Sequence, residues 1–313
     1  MTSPNLRILP YGTAAIAEAA ALVESGACVA VPTETVYGLA ADATNAAGVA
    51  AIYAAKGRPS FNPLIVHVPD LAAAERIATM DADARSLAER FWPGPLTLVL
   101  PLRADAGIAP AVTAGLGTVA LRVPRHRAMQ ALLRATGKPL AAPSANASNH
   151  ISPTTAEHVA ASLGPRVPLI VDDGATANGL ESTIVHGRTV LRPGPVTSAE
   201  LAALFPDTGR GAAPPTGDKV TAPGQLARHY APRKPLRLHA EAAEPDEWLI
   251  GFGPIAGEDT LSAGGDLNEA AANLFAALHR ADASGRPRIA VAPIPRTGIG
   301  EAIHDRLARA AHR

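Results

Sequence analysis

Short apolar segments alternate with helix-forming segments over the first 203 residues, and this alternation limits the folds that the chain can adopt. Residues 27–31, 64–68 and 96–100 are mainly apolar, and a proline directly follows each of them. The alanine-rich residues 13–25 and 45–55 have the composition of helices, with Thr13 as the expected cap of the first. Strands interleaved with helices are typical of α/β proteins. We therefore predict a twisted mixed sheet flanked by helices.

The composition changes near residue 204. Six prolines and four glycines occur between residues 204 and 235 without apolar periodicity, which is typical of a linker. Beyond it the sequence predicts a small second α/β domain, with strands at 248–252 and 289–292 and helices at 268–281 and 300–311. The predicted organisation is a first domain at 1–203, a linker at 204–235 and a second domain at 236–313.

The charge balance and the cysteine content exclude several classes of protein. The 28 basic and 28 acidic residues cancel, whereas a protein that mainly coats nucleic acid usually has a clear basic excess. The single cysteine, Cys28, cannot form an intrachain disulfide or a cysteine-rich zinc site. No run of about 18 apolar residues occurs, and residues 1–10 lack the pattern of a signal peptide, so we expect a cytoplasmic protein without membrane contact.

Two polar motifs stand at the ends of predicted strands, where α/β sheets bind ligands. Lys56-Gly57-Arg58-Pro59 and then Asn62 precede the strand at 64–68, and Ser144-Ala145-Asn146 follows an apolar run. Two cations, a hydroxyl and an amide suit a small molecule with phosphate and carboxylate groups. On spacing alone, the cations could instead be a solvated helix end favoured by the helix dipole. We expect both cations on an exposed loop.

Other motifs give little support to common nucleotide or metal sites. Residues 115–120 fit the dinucleotide pattern G-x-G-x-x-A, but the chain continues as a strand where that motif requires a helix. No G-x-x-x-x-G-K-[ST], H-E-x-x-H or paired C-x-x-C occurs. We therefore expect no metal ion held directly by protein side chains.

Together the motifs resemble the threonylcarbamoyl-AMP synthase family, whose YrdC-like core carries a Lys-x-Arg and a Ser-x-Asn. The resemblance runs from Ala14 to about Ala203 and resumes at Arg228-His229-Tyr230-Ala231-Pro232, which looks like the connector of the long, two-domain form. It implies a YrdC-like domain and a small Rossmann-like C-terminal domain. Asn149 departs from the family, which usually has glycine there; asparagine tolerates the left-handed conformation, so we expect the turn to persist.

The resemblance implies that L-threonine, bicarbonate or CO2 and ATP are condensed into threonylcarbamoyl-AMP and pyrophosphate. A partner tRNA threonylcarbamoyl transferase would then modify adenosine 37 of tRNAs that read codons beginning with A. Mg²⁺ is expected on the phosphates of ATP, mostly through water and phosphate oxygens. Direct binding of tRNA is expected to be weak or absent.

The resemblance also implies roles for individual residues. Lys56 and Arg58 are the expected catalytic residues, and the linker is expected to act as a lid over the nucleotide. The residues implied for threonine are Thr35, His67, Arg122, Ala142 and Ser182. Those implied for ATP are Arg58, Asn62, Thr118, Ser144, Asn146, Ser152, Arg192 and Tyr230.

Three other functions stay open at this point. An RNA-binding module could use the same cationic pocket, although the aromatic content of 4% is low for a protein that stacks bases. A carbamoyl-adenylate enzyme of hydrogenase maturation contains a similar domain, but it carries cysteine-rich zinc fingers that a single cysteine excludes. A scaffold whose second domain recruits partners would show no turnover of ATP.

Overall fold

The computed structural model describes residues 6–205 and 229–312, and strands in this part of the chain form two sheets. The larger is a ten-stranded mixed sheet with the order β1-β8-β2-β3-β7-β4-β6-β5-β9-β10. Its strands are β1 Arg7–Pro10, β2 Val29–Pro32, β3 Tyr37–Asp42, β4 Ile65–His67, β5 Leu96–Pro101, β6 Thr118–Arg122, β7 Leu140–Ala141, β8 Leu169–Asp172, β9 Thr183–His186 and β10 Thr189–Arg192.

Helices cover both faces of this sheet. They are α1 Thr13–Glu24, α2 Ala46–Lys56, α3 Leu71–Ile77, α4 Ala82–Phe91, α5 Pro110–Thr113, α6 Arg127–Thr136, α7 Ala156–Leu163 and α8 Ser198–Leu204, with a 3-10 turn at Gly164–Arg166. Helices α1 and α6 bury alanine and leucine side chains against β2, β7 and β8. Helices α2, α4 and α7 contribute to a larger core on the other face. The predicted mixed sheet flanked by helices is confirmed.

Side-chain caps explain where several helices begin. The side chains of Asn45, Asp70, Asp81 and Thr155 each accept a hydrogen bond from a backbone N–H in the first turn of α2, α3, α4 and α7, respectively. The expectation that Thr13 caps α1 is wrong, because Thr13 is the first helical residue and Gly12 occupies the cap position. Asn149 adopts a φ of 67°, so the left-handed turn expected there is confirmed.

The register of the central strands brings polar side chains together. Strands β4 and β6 run parallel, with His67 opposite Arg122 and Ile65 opposite Ala120. Side chains alternate between the faces of a strand, so Thr118, Ala120 and Arg122 share one face of β6. This face carries a small apolar cluster that includes Ile65, Ala120 and Ile184, and a pocket lies beside it.

The C-terminal domain is a four-stranded parallel sheet with the order β11-β14-β12-β13. Its elements are β11 Leu236–Arg237, β12 Glu247–Gly251, β13 Asp259–Thr260, α9 Leu267–Ala283, β14 Arg288–Val291 and α10 Gly300–Ala311. The long helix α9 buries seven side chains, among them Leu274, Phe275 and Leu278, in the core of this domain. The predicted small C-terminal α/β domain is therefore confirmed.

The two domains share a continuous apolar contact. Val36, Ile151 and Leu180 of the first domain belong to the same buried cluster as Phe275 of α9. Gly179 makes the approach possible, because a Cβ atom at its position would lie 2.4 Å from the carbonyl oxygen of Ala272. The domains therefore meet partly backbone against backbone. Within the described residues, no helix is long and apolar enough to cross a membrane.

Candidate active site

A pocket opens beside the ends of β4, β6 and β9, at the boundary between the two domains. The residues that line it are Thr33, Thr35, Val36, Gly38, Arg58, Ile65, His67, Arg122, Ala142, Pro143, Ser144, Glu181, Ser182, Arg192, His229 and Tyr230.

Arg122 is held rigidly at one wall of this pocket. Its Nη2 pairs with Glu34 Oε1 at 2.7 Å, its Nη1 donates to Thr35 Oγ1 at 2.9 Å, and its Nε donates to the carbonyl of Gly94 at 3.1 Å. The hydroxyls of Thr33 and Thr35 are hydrogen-bonded to each other at 2.8 Å. The guanidinium is therefore fixed in direction, which suits recognition of a carboxylate.

His67 is a buried, neutral imidazole at the same wall. Burial lowers its pKa to about 3, and the positive charge of Arg122 acts in the same direction. Neither ring nitrogen has a hydrogen-bond partner, although the residue is only 2% exposed. Buried polar atoms without partners are rare in folded proteins, so this ring is a candidate for contact with a bound molecule.

A second arginine forms another wall of the pocket. Arg192, at the end of β10, donates through Nε and Nη2 to the carbonyl of Ser182 at 3.1 and 2.9 Å, and Nη2 also reaches Ser182 Oγ at 3.2 Å. The Ser182 hydroxyl is in turn hydrogen-bonded to Thr97 Oγ1 at 2.7 Å. This network orders Ser182 and places a buried cation next to it.

Arg58 also lines the pocket, and its side chain is bonded to the backbone of the following loop. It donates to the carbonyls of Asn62 at 3.1 Å and Pro63 at 2.8 Å. Burial lowers the pKa of the Arg58 guanidinium to about 10, while the Tyr53 hydroxyl acts in the opposite direction. Arg58 therefore stays protonated at neutral pH.

Lys56 is not on an exposed loop as the sequence predicted. It is the last residue of α2, is 3% exposed, and lies beneath the pocket rather than on its wall. Its Nζ donates to the carbonyls of Ser144 and Asn146 at 2.5 and 2.6 Å and approaches Asn146 Oδ1 at 3.5 Å. Burial, and then the charge of Arg58, hold its pKa well below its usual range. Three oxygen acceptors favour the ammonium form in opposition to this shift.

His229, which lines the pocket, lies close to several cations. Its pKa lies well below its usual range because of burial and then because of the charges of Arg58, Lys56 and Arg192. The same positive potential would favour a phosphorylated ligand. The pocket is thus strongly electropositive although the whole chain has no net charge.

Most of the predicted linker, residues 206–228, lies outside the described residues, so its predicted action as a lid stays a prediction. The described end of the linker is packed rather than exposed: Tyr230 is 1% exposed and has a φ of 61°. Ala231 donates to the carbonyl of Asn149 at 2.8 Å, which ties this segment to the loop after Ser144-Ala145-Asn146.

The pocket offers no carboxylate cluster for a metal ion. Among the described residues, no group of three or more histidine, cysteine, aspartate or glutamate side chains could hold one. The lining carboxylate of Glu181 is already paired with Arg306 and accepts a hydrogen bond from Ser152. This donor set fits Mg²⁺ only as part of its complex with a nucleotide, bound through phosphate oxygens and water.

Comparison with known proteins places this geometry in a family. The profile described as telomere recombination matches residues 21–194, and the profile described as the C-terminal domain of threonylcarbamoyl-AMP synthase matches residues 196–312. The threonylcarbamoyl-AMP synthase of Bacillus subtilis strain 168 is 41% identical over 95% of this chain and 92% of its own length. The chain belongs to the threonylcarbamoyl-AMP synthase family.

A solved structure agrees with this assignment. The crystal structure of Pyrococcus abyssi Sua5 complexed with L-threonine superposes on this threonylcarbamoyl-AMP synthase family member with a TM-score of 0.89. The two chains are 34% identical, and the match covers 98% of this chain and 97% of the other. The resemblance predicted from the motifs, the two-domain fold and the assignment as an enzyme of this type are therefore confirmed.

The structure separates the predicted site residues into two groups. One group lines the pocket: Thr35, Arg58, His67, Arg122, Ala142, Ser144, Ser182, Arg192 and Tyr230. The other group does not: Lys56, Asn62, Thr118, Asn146 and Ser152. Thr118 lies at the start of β6, on the face shared with Arg122, whereas the Ser152 hydroxyl donates to Glu181.

Those inner residues hold the loops that form the walls. Asn146 donates through Nδ2 to the carbonyls of Ala147 and His150 at 2.9 and 2.8 Å. Asn62 is 1% exposed, its carbonyl binds Arg58 and the Tyr53 hydroxyl, and its Oδ1 has no hydrogen-bond partner. Asn146 and Asn62 therefore support the pocket through the loops that they hold and do not line it themselves.

Four residues at or behind the pocket are not predicted from the sequence: Glu34, Glu181, His229 and Arg306. Three of them lie next to predicted site residues, since Glu34 precedes Thr35, Glu181 precedes Ser182, and His229 precedes Tyr230. For Glu34 and Glu181, the sequence signal that could have identified them is a carboxylate next to a predicted hydroxyl-bearing site residue. Arg306 has no local signal.

Proposed function

We propose that the protein condenses L-threonine, bicarbonate or CO2, and ATP into threonylcarbamoyl-AMP and pyrophosphate. This is the first step in the formation of N6-threonylcarbamoyladenosine at position 37 of tRNAs that read codons beginning with A. One observation carries the proposal: Arg122, with a fixed guanidinium, and Arg58 and Arg192 line a single pocket together with the hydroxyls of Thr35 and Ser182. A carboxylate can bind at the first arginine while phosphates face the other two.

The chemistry needs two bonds to form. The free amine of threonine adds to CO2, which gives a carbamate and releases a proton. A carbamate oxygen then attacks the α-phosphorus of ATP, and the bond to the bridging oxygen breaks so that pyrophosphate leaves with the electron pair. Threonine, carbamate and triphosphate are all anionic, so the site must bring like charges together.

The side chains of the pocket suit that task. Arg122 would bind the carboxylate of threonine, and Ser182, Thr35 and the neutral His67 can hydrogen-bond its other polar groups. Arg58, Arg192 and Tyr230 would bind the nucleotide. Positioning and charge stabilisation can supply most of the rate acceleration of such a reaction. No step requires a protein side chain to act as general base if the amine binds unprotonated.

Lys56 would act from beneath the pocket. Its ammonium group fixes the carbonyls of Ser144 and Asn146, and its charge lies close enough to lower the pKa of His229. It would thereby orient the Ser144 loop and contribute positive potential at the α-phosphate. The Mg²⁺ that accompanies ATP would enter as part of the substrate and balance the charges of the leaving pyrophosphate.

The decisive experiment measures pyrophosphate release from MgATP with and without threonine and bicarbonate. Release is expected only with both present, together with a product that has the mass of threonylcarbamoyl-AMP. Release that does not depend on threonine would contradict the proposal. Alanine in place of threonine is the matched control, because it keeps the carboxylate and the amine but lacks the hydroxyl.

We further propose that the product passes to a tRNA threonylcarbamoyl transferase, and that the enzyme works in the cytoplasm where tRNA is available. Direct binding of tRNA should be weak, because the chain has no net charge and three of its arginines line one pocket of small-molecule type. Titration of labelled tRNA over a series of salt concentrations tests this. Tight binding with a steep salt dependence would favour an RNA-binding module instead.

A further inference from the structure

A single arginine of the C-terminal domain reaches the wall of the pocket. Arg306 stands in the middle of α10 and is fully buried, the largest side chain of that kind in the described part of the chain. Its Nε donates to Glu181 Oε2 at 2.7 Å, and its Nη2 lies 3.4 Å from the Glu181 carbonyl. The side chain therefore crosses the domain boundary and ends at a residue that lines the pocket.

Glu181 is out of place in a pocket for anions unless its charge is compensated. It is 6% exposed, and its second carboxylate oxygen accepts a hydrogen bond from Ser152 Oγ. The rest of the polar lining consists of cations, hydroxyls and imidazoles. An uncompensated carboxylate there would repel a triphosphate, because Coulomb repulsion is strong in a site shielded from water. Arg306 supplies the missing positive charge.

Arg306 also supports Tyr230. The guanidinium carbon lies 5.1 Å from the centre of the Tyr230 ring, within the range of a cation–π contact. Tyr230 lines the pocket and packs on Phe275 of α9. One side chain thus contacts two separate members of the pocket wall, Glu181 before the linker and Tyr230 within it.

The geometry requires arginine rather than any cation. While Nε and Nη2 face Glu181, Nη1 donates to Asp305 Oδ2 at 2.6 Å, and Cζ lies over the Tyr230 ring. A lysine ammonium is a point charge, so it cannot make this forked contact and the cation–π contact at the same time. If the charge of Glu181 were removed, Asp305 would remain as a counter-ion of Arg306.

We infer that Arg306 is a positioning residue for the nucleotide, through which the C-terminal domain completes the active site. It keeps Glu181 neutralised and in place, so that Glu181 can hold Ser152, and it seats Tyr230 against the nucleotide. This inference rests on the proposed function, because it assigns Glu181 and Tyr230 to the side of the pocket that receives ATP. The C-terminal domain is then part of the catalytic unit rather than an appended module.

The test uses the full-length chain and measures the KM for MgATP and for threonine in the pyrophosphate assay. Arg306→Met should raise the KM for MgATP about tenfold or more, as expected for loss of a hydrogen bond between charged groups, and change the KM for threonine by less than about threefold. Glu181→Gln should raise the KM for MgATP by less than Arg306→Met does, because glutamine still accepts the Ser152 hydrogen bond and Asp305 remains as a counter-ion of Arg306. Adding Glu181→Gln to Arg306→Met should recover much of the lost affinity for MgATP.

The recovery is the readout that a merely structural role would not give, since a second buried substitution would otherwise add to the damage. An unchanged KM for MgATP in folded Arg306→Met, or a double variant no better than the single one, would overturn the inference. If Arg306→Met does not fold, Arg306→Lys serves instead. Arg306→Lys should have a KM for MgATP between those of the wild type and Arg306→Met, and adding Glu181→Gln should lower it. A wild-type KM in Arg306→Lys would overturn the inference equally.

Arg237→Met is the matched control. Arg237 lies in β11 of the same domain and pairs at 2.5 Å with the fully buried carboxylate of Glu247, away from the pocket lining. This variant should lose stability but keep both KM values. If the wild-type protein releases no pyrophosphate, the proposed function fails by itself, and calorimetric binding of MgATP still ranks the same variants. The two failures are therefore distinguishable.

Discussion

Glu34 and Arg122 form a buried ion pair at one wall of the pocket, with less than a tenth of either side chain exposed. Because the same guanidinium also donates to Thr35, the carboxylate of Glu34 sets the direction in which Arg122 presents its charge. Breaking such a pair from one side leaves a buried charge without compensation, which is costly. The pair therefore links the stability of the fold to the recognition of a substrate carboxylate.

This link predicts how stability depends on pH. Burial alone would raise the pKa of Glu34, but the charge and hydrogen bond of Arg122 outweigh it and hold the pKa below its usual 4.5. Because the folded-state value is the lower one, the pair stabilises the fold above about pH 4.5, and this contribution is lost as the pH falls through the folded-state pKa. In Glu34→Gln, the free energy of unfolding should change less between about pH 5 and pH 3 than in the wild type.

Urea titrations over that pH range measure the difference. Glu24→Gln is the control, because Glu24 is an exposed carboxylate at the end of α1 and its removal should leave the wild-type pH profile unchanged. An identical pH dependence in the wild type and Glu34→Gln would show that the ion pair does not contribute to the acid sensitivity of the fold.

The His67 side chain should lower the stability of the ligand-free protein and strengthen the binding of threonine. Its ring is buried without hydrogen-bond partners, which costs about 1–3 kcal/mol in a folded protein. We expect His67→Leu to raise the free energy of unfolding of the ligand-free protein and to weaken threonine binding about tenfold or more, since a lost hydrogen bond is worth about that much. Urea unfolding and calorimetry measure the two effects. A variant that loses stability, or binds threonine normally, would contradict the role of His67 in the pocket.

Lys56 should matter for the fold as well as for turnover. In Lys56→Ala, the carbonyls of Ser144 and Asn146 lose their buried donor, so we expect the free energy of unfolding to fall by about 1–3 kcal/mol. Pyrophosphate release should fall much further than this loss explains at a temperature where the variant is folded. Lys138→Ala, at an exposed position, is the matched control and should change neither property. Wild-type turnover in folded Lys56→Ala would remove Lys56 from the catalytic machinery.

Discrimination between amino acids should depend on the hydroxyl more than on the methyl group of threonine. One methyl group in an apolar pocket is worth only about 1–3 kcal/mol, whereas a polar partner left unpaired in the site discriminates far more strongly. Serine should therefore be a modestly poorer substrate than threonine, and valine a very poor one. Comparison of kcat/KM for the three amino acids tests this. Equal use of serine and valine would mean that the hydroxyl is not recognised.

The elements predicted from the sequence are those whose signals are local. Apolar runs followed by proline identify β4 and β5, and alanine-rich composition identifies α1 and α2 to within one residue at each end. Strand β3 is not predicted, because Tyr37–Asp42 contains a glycine and ends in an aspartate, which are typical of a loop. Its burial comes from its neighbours β2 and β7, which local composition does not reveal.

The candidate site also depends on long-range contacts that local sequence does not reveal. Nine of the residues that the resemblance implies line one pocket, but the exposed loop expected for Lys56 is a buried helix end. What covers a helix end depends on distant segments, in this case the loop of Ser144 and Asn146, some 90 residues away. The pairs of Glu34 with Arg122 and of Glu181 with Arg306 are likewise long-range contacts. The sequence next to a carboxylate does not indicate whether a cation from a distant segment will pair with it.

The pairing of Glu181 with Arg306 also limits how this chain can diverge. The two residues are 125 positions apart and belong to different domains, and loss of the Arg306 charge alone should be more harmful than loss of both charges. The contributions of the two residues to the pocket are therefore coupled. A fusion that exchanged the C-terminal domain for that of a distant relative would assemble a working pocket only where the incoming domain carried the matching charge.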